Sequence, residues 1–256
     1  MNGWMLAAIL AATPCEPMEV SISSGLDWSS GDYGLDTETS ALLAPISIDL
    51  DLGDLTLSAG GAYAVIEGPA GITAPDGEVF APRASDDARR DGFTDLSLGG
   101  SWSRTAPTWP GWIALSGGAT LPTADPDEGL GAGSSDLFAG LELGYDADPF
   151  LLAVNLNYRA TDVAGLRDPV GAGVSILRLV GADGVLGASL DARQSTIPGL
   201  APQAEISVFA GGSISPSVRL DAYLVTGLTG ASSDLGFGLS LRRSLGVTDR
   251  APSVRN

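Results

Sequence analysis

Apolar and polar residues alternate along most of this chain with a period of two. Between positions 46 and 52, for example, every even position is isoleucine or leucine and every odd position is serine or aspartate. Because successive side chains of a β-strand point to opposite faces, this pattern predicts strands with one apolar and one polar face. The predicted strands are 20–28, 46–52, 55–65, 95–102, 113–121, 137–145, 152–159, 171–180, 186–193, 204–210, 218–224 and 235–242.

Charged residues are almost completely sorted onto the polar faces of these segments. The segment 171–180 is the least clear, and we expect its Arg178 to face inward with the other charged residues. None of the remaining eleven segments carries a charge on its apolar face. An arginine at the bilayer midplane on the lipid face of a barrel costs about 2–4 kcal/mol, so this sorting is typical of strands whose apolar face contacts lipid.

The connections between the predicted strands alternate in length. The short connections are 53–54, 105–111, 146–149, 181–184 and 215–217. The other connections tend to be longer, and the longest is 67–92. Bacterial outer-membrane barrels combine short periplasmic turns, longer external loops and an even strand number. The sequence therefore predicts an all-β fold over residues 18–244, a closed antiparallel up-and-down transmembrane β-barrel of about twelve strands with both termini in the periplasm.

Aromatic residues lie near the ends of the predicted strands, as in the two interfacial girdles of membrane barrels. At the outer interface we expect Trp28, Tyr63 and Tyr158, and at the inner interface Trp102, Trp112, Tyr145 and Phe150. The main alternative is a soluble β-sandwich, in which the apolar faces would be buried between two sheets. The girdles and the alternating connections favour the barrel.

The two ends of the chain do not follow the strand pattern. Residues 1–17 predict a signal peptide with a short apolar core at 4–12. This core is the longest apolar run, and it is far shorter than the ~20 residues that a membrane-spanning helix needs. Cys15 is the only cysteine, so an intrachain disulfide is excluded, and a lipid anchor at Cys15 is the alternative to a signal peptide. Residues 245–256 form a polar tail.

Composition narrows the functional classes. The net charge is −18, which argues against nucleic acid as a partner because phosphate binding needs concentrated positive charge. The chain has no histidine, which removes Ser-His and Cys-His catalysis and His-ligated zinc or copper. We therefore expect no enzymatic activity and no cofactor. Asp49 and Asp51 share a strand face and could form a two-carboxylate catalytic pair, but the lining of a wet lumen explains them more simply.

Acidic residues in two predicted loops are weak candidates for Ca²⁺ binding through carboxylate oxygens. They are Asp125, Asp127 and Glu128 in one loop and Asp86 and Asp87 in the longest loop. Solvated loop charge is the simpler interpretation. The stretch 129–133 is rich in glycine, but neither a helical pattern nor a lysine follows it, so it does not predict a phosphate-binding loop.

Inward-facing polar residues are the candidates for contact with a permeating solute. They are Asp49, Asp51, Asp95, Glu142, Asn155, Asn157, Arg159, Asp191, Arg193, Glu205, Arg219, Asp221 and Arg242. We expect Arg193 to lie close to Glu205 near the outer end. Near the inner end, Arg219 and Asp221 should lie close to Arg242. Rings of charge select permeants in pores, although such pairs can also simply tie strands together.

The expected width of the barrel leaves room for a narrow passage. Eight strands enclose an interior that side chains fill, whereas sixteen to eighteen leave an open channel. Twelve strands lie between these limits, and many inward positions here are glycine, serine or threonine. The residues thus predict a passive channel for small molecules. The alternative is a non-transporting barrel whose acidic loops bind a partner or cations.

Several stretches resemble a known protein family. They are 31–34 (Gly-Asp-Tyr-Gly), 37–43, 65–71, 94–98, 121–125 (beginning Leu-Pro-Thr) and 129–136 (beginning Gly-Leu-Gly-Ala-Gly). With them the chain resembles the outer-membrane transporters grouped as "MetA-pathway of phenol degradation". The resemblance implies a barrel in the lipid of a bacterial outer membrane, inserted by the outer-membrane assembly machinery, that passes small solutes including aromatic ones. One departure is that the last predicted strand is followed by a polar tail rather than ending the chain on an aromatic residue.

Overall fold

The structure is a computed structural model that describes residues 18–73, 78–82, 89–131, 133–163 and 165–247. The predicted signal peptide at 1–17, with Cys15, lies outside the described residues. So do Asp86, Asp87 and residues 248–256 of the predicted tail.

Strands make up nearly all of the described secondary structure. They are β1 (Glu19–Gly31), β2 (Thr39–Asp51), β3 (Leu55–Glu67), β4 (Ala70–Thr73), β5 (Glu78–Pro82), β6 (Arg90–Phe93), β7 (Leu96–Thr105), β8 (Gly111–Leu121), β9 (Asp136–Ala147), β10 (Phe150–Thr161), β11 (Val170–Val180), β12 (Gly184–Arg193), β13 (Gln203–Ser215), β14 (Val218–Gly227) and β15 (Leu235–Val247). A short 3₁₀ turn covers Pro126–Glu128. Among the described residues, no helix is long and apolar enough to span a membrane.

Twelve long strands form a closed antiparallel barrel, as predicted. Each strand from β7 to β15 pairs with the next, β15 pairs with β1, and β1 pairs with β2. Pairing of β2 with β3, and of β3 with β7, completes the cylinder. The short strand β6 pairs with β3 beyond β7, while β4 and β5 form a separate hairpin. The closed cylinder rules out the β-sandwich.

The connections divide the barrel into two distinct ends. One, called the turn end here, carries the connections 52–54, 106–110, 148–149, 181–183 and 216–217. The opposite or loop end carries 32–38, 68–95, 122–135, 162–169, 194–202 and 228–234. The start of β1 and the end of β15 both lie at the turn end. The predicted alternation of short and long connections is thus confirmed.

Apolar side chains point away from the barrel, and polar ones point into it. The outward residues Ile48, Leu137 and Leu186 remain 54%, 60% and 55% exposed, whereas inward Asn155 is 3% exposed. Exposed leucine, isoleucine or valine residues occur on the outer face of all twelve long strands, with alanine or glycine at some of the positions between them. A belt of this extent is far larger than the apolar patches of soluble proteins.

The predicted strand β2 was too short at its beginning. It starts at Thr39, seven residues before the predicted start at 46. Its inward side chains at this end include Ala41 and Leu43, both buried and apolar. Because inward and outward residues are then both apolar, the period-two signal disappears although the strand continues.

Two predicted side-chain directions were wrong. Arg178 points outward beside Phe150 and Leu186, and its neighbour Leu177 points inward and is fully buried. Apolar residues on both faces hid the direction of this strand. Trp112 does not belong to the inner girdle, because it shares the inward face of β8 with Ser116 and its Nε1 donates to Glu142. Its position near a strand end suggested the interface, but the alternation along β8 decides its direction.

Candidate functional site

The candidate site is a cavity of about 190 Å³ inside the barrel. Its walls come from β7 to β14, and they carry many small or polar residues such as Ser97, Ser116 and Gly171. Seven of the predicted solute-contacting residues line it: Glu142, Asn155, Asn157, Arg159, Asp191, Arg193 and Glu205. The alternation of the strands predicted that these seven side chains face inward, and the structure places all seven on the wall of the cavity.

Asn155 and Glu142 lie directly opposite each other on adjacent strands, in the middle of this wall. The Nδ2 atom of Asn157 donates to Oδ1 of Asn155 at 2.7 Å, and Nδ2 of Asn155 is buried with no hydrogen-bond partner. Oε1 of Glu142 accepts from Nε1 of Trp112 at 2.8 Å. The cavity wall thus carries an amide and a carboxylate side by side, held by hydrogen bonds from Asn157 and Trp112.

Polar residues of β12 and β13 continue the wall toward the loop end. The register places Arg193 opposite Gln203 and Asp191 opposite Glu205. Nε of Arg193 donates to Gln203 at 2.6 Å, and Glu205 accepts from the hydroxyl of Ser233 at 2.9 Å. Arg193 and Glu205 therefore lie two positions apart in the register, on the same inward face, in the neighbourhood that the sequence predicted.

A second group of charges lies at the turn end of the lumen. Arg219 faces Arg242 in the register, as expected, and Nη2 of Arg219 lies 2.8 Å from Asp221. Nη2 of Arg242 lies 2.9 Å from Oδ2 of Asp51 and 4.0 Å from Oδ2 of Asp49. Closure of the barrel brings β15 within reach of β2 across β1, so an arginine from the last strand partly neutralises the acidic second strand.

A set of loop contacts narrows the loop end of the lumen, and sequence reasoning missed it. The loop-end cluster consists of the buried residues Tyr33, Ala41, Leu43, Ala62, Ala64, Ile66, Ala70 and Leu130. Tyr33 and Leu130 come from loops, and the rest come from β2, β3 and the start of β4. Burial raises the pKa of Tyr33 to about 12, and its hydroxyl donates to Ser29 at 2.9 Å.

An apolar cluster on the strands themselves narrows the turn end. The turn-end cluster consists of Leu177, Val185 and Phe209, against which Leu151 and Tyr223 pack. These residues occupy inward positions of β10 to β14. In the sequence, each of these residues is an apolar residue on an otherwise polar face. The alternation of the strand does not predict that such residues pack together inside the barrel.

Inward glycines provide space for aromatic rings. A Cβ added to Gly144 would overlap the ring of Trp112, and one on Gly187 would overlap the ring of Phe209. Gly118 has the same relation to Phe138 on the wall of the cavity. These rings therefore lie across the glycine backbone of a neighbouring strand rather than across the lumen, which keeps the passage wider.

Asp95, one of the predicted lumen residues, holds a loop in place. It is buried at the loop end, and its Oδ1 accepts from the backbone N–H of Ala124 at 2.9 Å. In the same loop, Asp125 accepts from the N–H of Asp127 and caps the 3₁₀ turn. No group of three or more Asp, Glu, Cys or His among the described residues is arranged to hold a metal ion, so the Ca²⁺ prediction for Asp125, Asp127 and Glu128 gains no support.

Comparisons with known proteins identify relatives of the fold. No family model matches the chain, and no curated protein matches it. The COG4313 outer membrane channel from Pseudomonas putida F1 has a TM-score of 0.68 at 13% identity, with 91% of this chain and 96% of that chain covered. The translocator domain of autotransporter NalP from Neisseria meningitidis has a TM-score of 0.53 at 9% identity, with 90% and 89% covered. At these identities the likeness shows a shared barrel fold, while the resemblance to the phenol-degradation family has no matching family model behind it.

Proposed function

We propose that the protein is a passive channel for small molecules in a bacterial outer membrane, with the turn end in the periplasm. The observation that carries the proposal is a cavity with charged and amide side chains in its wall, inside a closed barrel whose outer surface is apolar. The solved structure with a TM-score of 0.68 is named an outer membrane channel, which supports the same assignment. Insertion by the outer-membrane assembly machinery and contact with membrane lipid belong to this proposal.

The charged side chains in the cavity wall favour no strong preference for one sign of charge. Arg159 and Arg193 face the same space as Glu142, Asp191 and Glu205. Rings of a single sign would select strongly for the opposite ion, and this wall carries both signs. Aromatic solutes, which the family resemblance suggests, belong in the same test, since the ring of Phe138 also lines the cavity.

The test is solute release from liposomes that contain the full-length protein and a substitution that fills the cavity. Ser116 lines the cavity, whereas its neighbour Leu115 points outward. Ser116→Trp is expected to reduce the release of small sugars, amino acids and phenol severalfold, and Leu115→Trp should leave release unchanged. Liposomes that stay sealed with the wild-type protein, or equal effects of both tryptophans, would contradict the channel.

A second candidate is a non-transporting barrel whose acidic loops bind a partner or cations. The loop-end cluster favours it, because Tyr33 and Leu130 fold inward and fill part of the mouth. If liposomes that contain the wild-type protein release no solute, the result would favour this non-transporting barrel over the channel. For either candidate we propose no enzymatic activity, since the chain has no histidine and Arg242 lies within 4.0 Å of both Asp49 and Asp51, the carboxylate pair considered above.

A further inference from the structure

Charged residues on the outer wall of the barrel are divided between its two ends. On the described strands, the outward-facing charges are Glu67 and Asp91 at the loop end and Arg104, Arg178 and Arg243 at the turn end. The long middle part of the wall is apolar. Among these strand charges, the loop-end rim is therefore acidic and the turn-end rim is basic, and the exposed carboxylates Asp54, Asp148 and Asp183 lie in the turns beside the basic rim.

The two rims also differ in whether the protein itself pairs these charges. At the loop end, Arg89 lies 3.6 Å from Glu67, and Asp91 accepts a hydrogen bond from Tyr63. The arginines at the turn end are exposed, and within the part of the chain that the structure describes no carboxylate forms an ion pair with them. The basic rim consequently has cationic groups available for a partner outside the protein.

Each of these arginines projects from an apolar surface close to a strand end. Arg104 lies opposite Ile113, one residue before the end of β7. Arg178 lies between Phe150 and Leu186. Arg243 has Ile22 and Val218 as its neighbours in the register. A long arginine stem can pack along such apolar neighbours while the guanidinium reaches the polar headgroups.

The positions of the arginines around the barrel are evenly spaced. In the circular order of the twelve strands, β7, β11 and β15 are the fourth, eighth and twelfth. Every fourth strand therefore carries one arginine, and the three lie about a third of the circumference apart. Three points spaced in this way define a plane across the barrel axis.

We propose that Arg104, Arg178 and Arg243 form a three-point anchor that binds phosphate groups of phospholipids in the periplasmic leaflet. The proposal rests on the membrane orientation given above. A guanidinium binds a phosphate through two parallel hydrogen bonds, and the cost of an outward arginine falls to about 0–1 kcal/mol near the membrane interface. Such an anchor fixes both the depth of the barrel and its tilt, because all three points must lie at the phosphate level.

Native mass spectrometry of the full-length protein with added phosphatidylglycerol tests the anchor. Replacing Arg104, Arg178 and Arg243 together by glutamine is expected to weaken lipid retention by about fivefold for each arginine, the factor that corresponds to about 1 kcal/mol per cationic side chain at an anionic surface. The three lysine replacements should retain most of the binding. Arg167→Gln is the matched control, because this exposed arginine lies in a loop at the opposite end.

Two further measurements make the outcome decisive. A phosphate-free glycolipid should be retained much less than phosphatidylglycerol by the wild type. In oriented bilayers, polarised infrared spectra should show a wider tilt distribution for the triple glutamine variant. Equal retention of both lipids by the wild type, or an equal loss in Arg167→Gln, would overturn the anchor.

Solute release separates this proposal from the channel. The three arginines face away from the lumen, so the triple glutamine variant should release solutes at the wild-type rate. If the wild type retains phosphatidylglycerol through these arginines but its liposomes stay sealed, the anchor holds and the channel fails. If Ser116→Trp reduces solute release but the triple glutamine variant retains as much lipid as the wild type, the anchor alone is wrong.

Discussion

The two ends of the lumen are narrowed by apolar clusters of different origin. In the loop-end cluster, Tyr33 and Leu130 are supplied by loops that fold into the mouth, and Leu35, Ala124 and Ile197 pack against it from three loops. In the turn-end cluster every member belongs to a strand. One end is therefore narrowed by segments that can move away from the barrel, and the other by the wall itself.

Because of this difference, we expect the loop-end cluster to affect the local stability of a loop and the turn-end cluster to affect the global stability of the barrel. A loop can leave the mouth while the strand pairing of the barrel remains intact, so contacts of Leu130 should stabilise only the loop. Contacts of Leu177 cannot be lost without disturbing β11 and its neighbours. Local openings of this kind have lower free energies than global unfolding, which makes the two clusters experimentally distinguishable.

The largest effect is expected at the turn end. Leu177 is fully buried, and Leu177→Ala should lower the global free energy of unfolding by about 2–5 kcal/mol because it leaves a cavity in the cluster. Urea unfolding of the protein in lipid vesicles measures this loss. Ile176→Ala is the matched control, since Ile176 faces outward: its replacement loses the transfer free energy of the removed methyl groups but leaves no internal cavity, so it should cost less than Leu177→Ala. Equal losses would mean that Leu177 contributes no internal packing.

A smaller and purely local effect is expected for Leu130→Ala. Leu130 is 2% exposed, and losing its contacts should favour opening of the loop 122–135 by about 2 kcal/mol, near the lower limit for such substitutions. Hydrogen exchange of that loop should become about thirtyfold faster. The urea midpoint of the barrel should hardly change. A global loss as large as that of Leu177→Ala would refute the separation of the two ends.

The smallest effect concerns the pH dependence of the loop end. In the folded state burial raises the pKa of Tyr33 to about 12, so the folded state keeps this proton to higher pH than the unfolded state does. Stability therefore falls as the pH rises above about 10 and continues to fall until about 12, by about 1.4 kcal/mol between pH 9 and pH 11. Tyr33→Phe should remove this part of the loss.

Unfolding at the two pH values, compared between variants, measures that contribution. Ser29→Ala is the control, because it removes the acceptor of the Tyr33 hydroxyl but keeps the tyrosine. This variant should lose stability between pH 9 and pH 11 as the wild type does. If Tyr33→Phe shows the full wild-type loss, Tyr33 is not the group responsible.

Much of the candidate site could be predicted from the alternation of the strands. The inward directions of Asn155, Asp191 and Glu205 follow from the residues on either side of them, and the structure places all three on the cavity wall. The prediction failed for Trp112 because its position near a strand end was given more weight than the alternation along β8. It failed for Arg178 because apolar residues lie on both faces of β11, and there only pairing with the neighbouring strands determines the direction.

The sequence by itself determined the twelve barrel strands, apart from the beginning of β2, and the outward direction of most apolar side chains, because these follow from a period of two that is visible within each segment. It did not predict the short strands β4, β5 and β6 in the longest connection. Closure and loop docking were decided only by the tertiary structure. Arg242 meets Asp51 across 191 positions, and Tyr223 donates to Asp27 across 196. Such contacts exist only after the last strand has paired with the first, so no local sequence pattern predicts them.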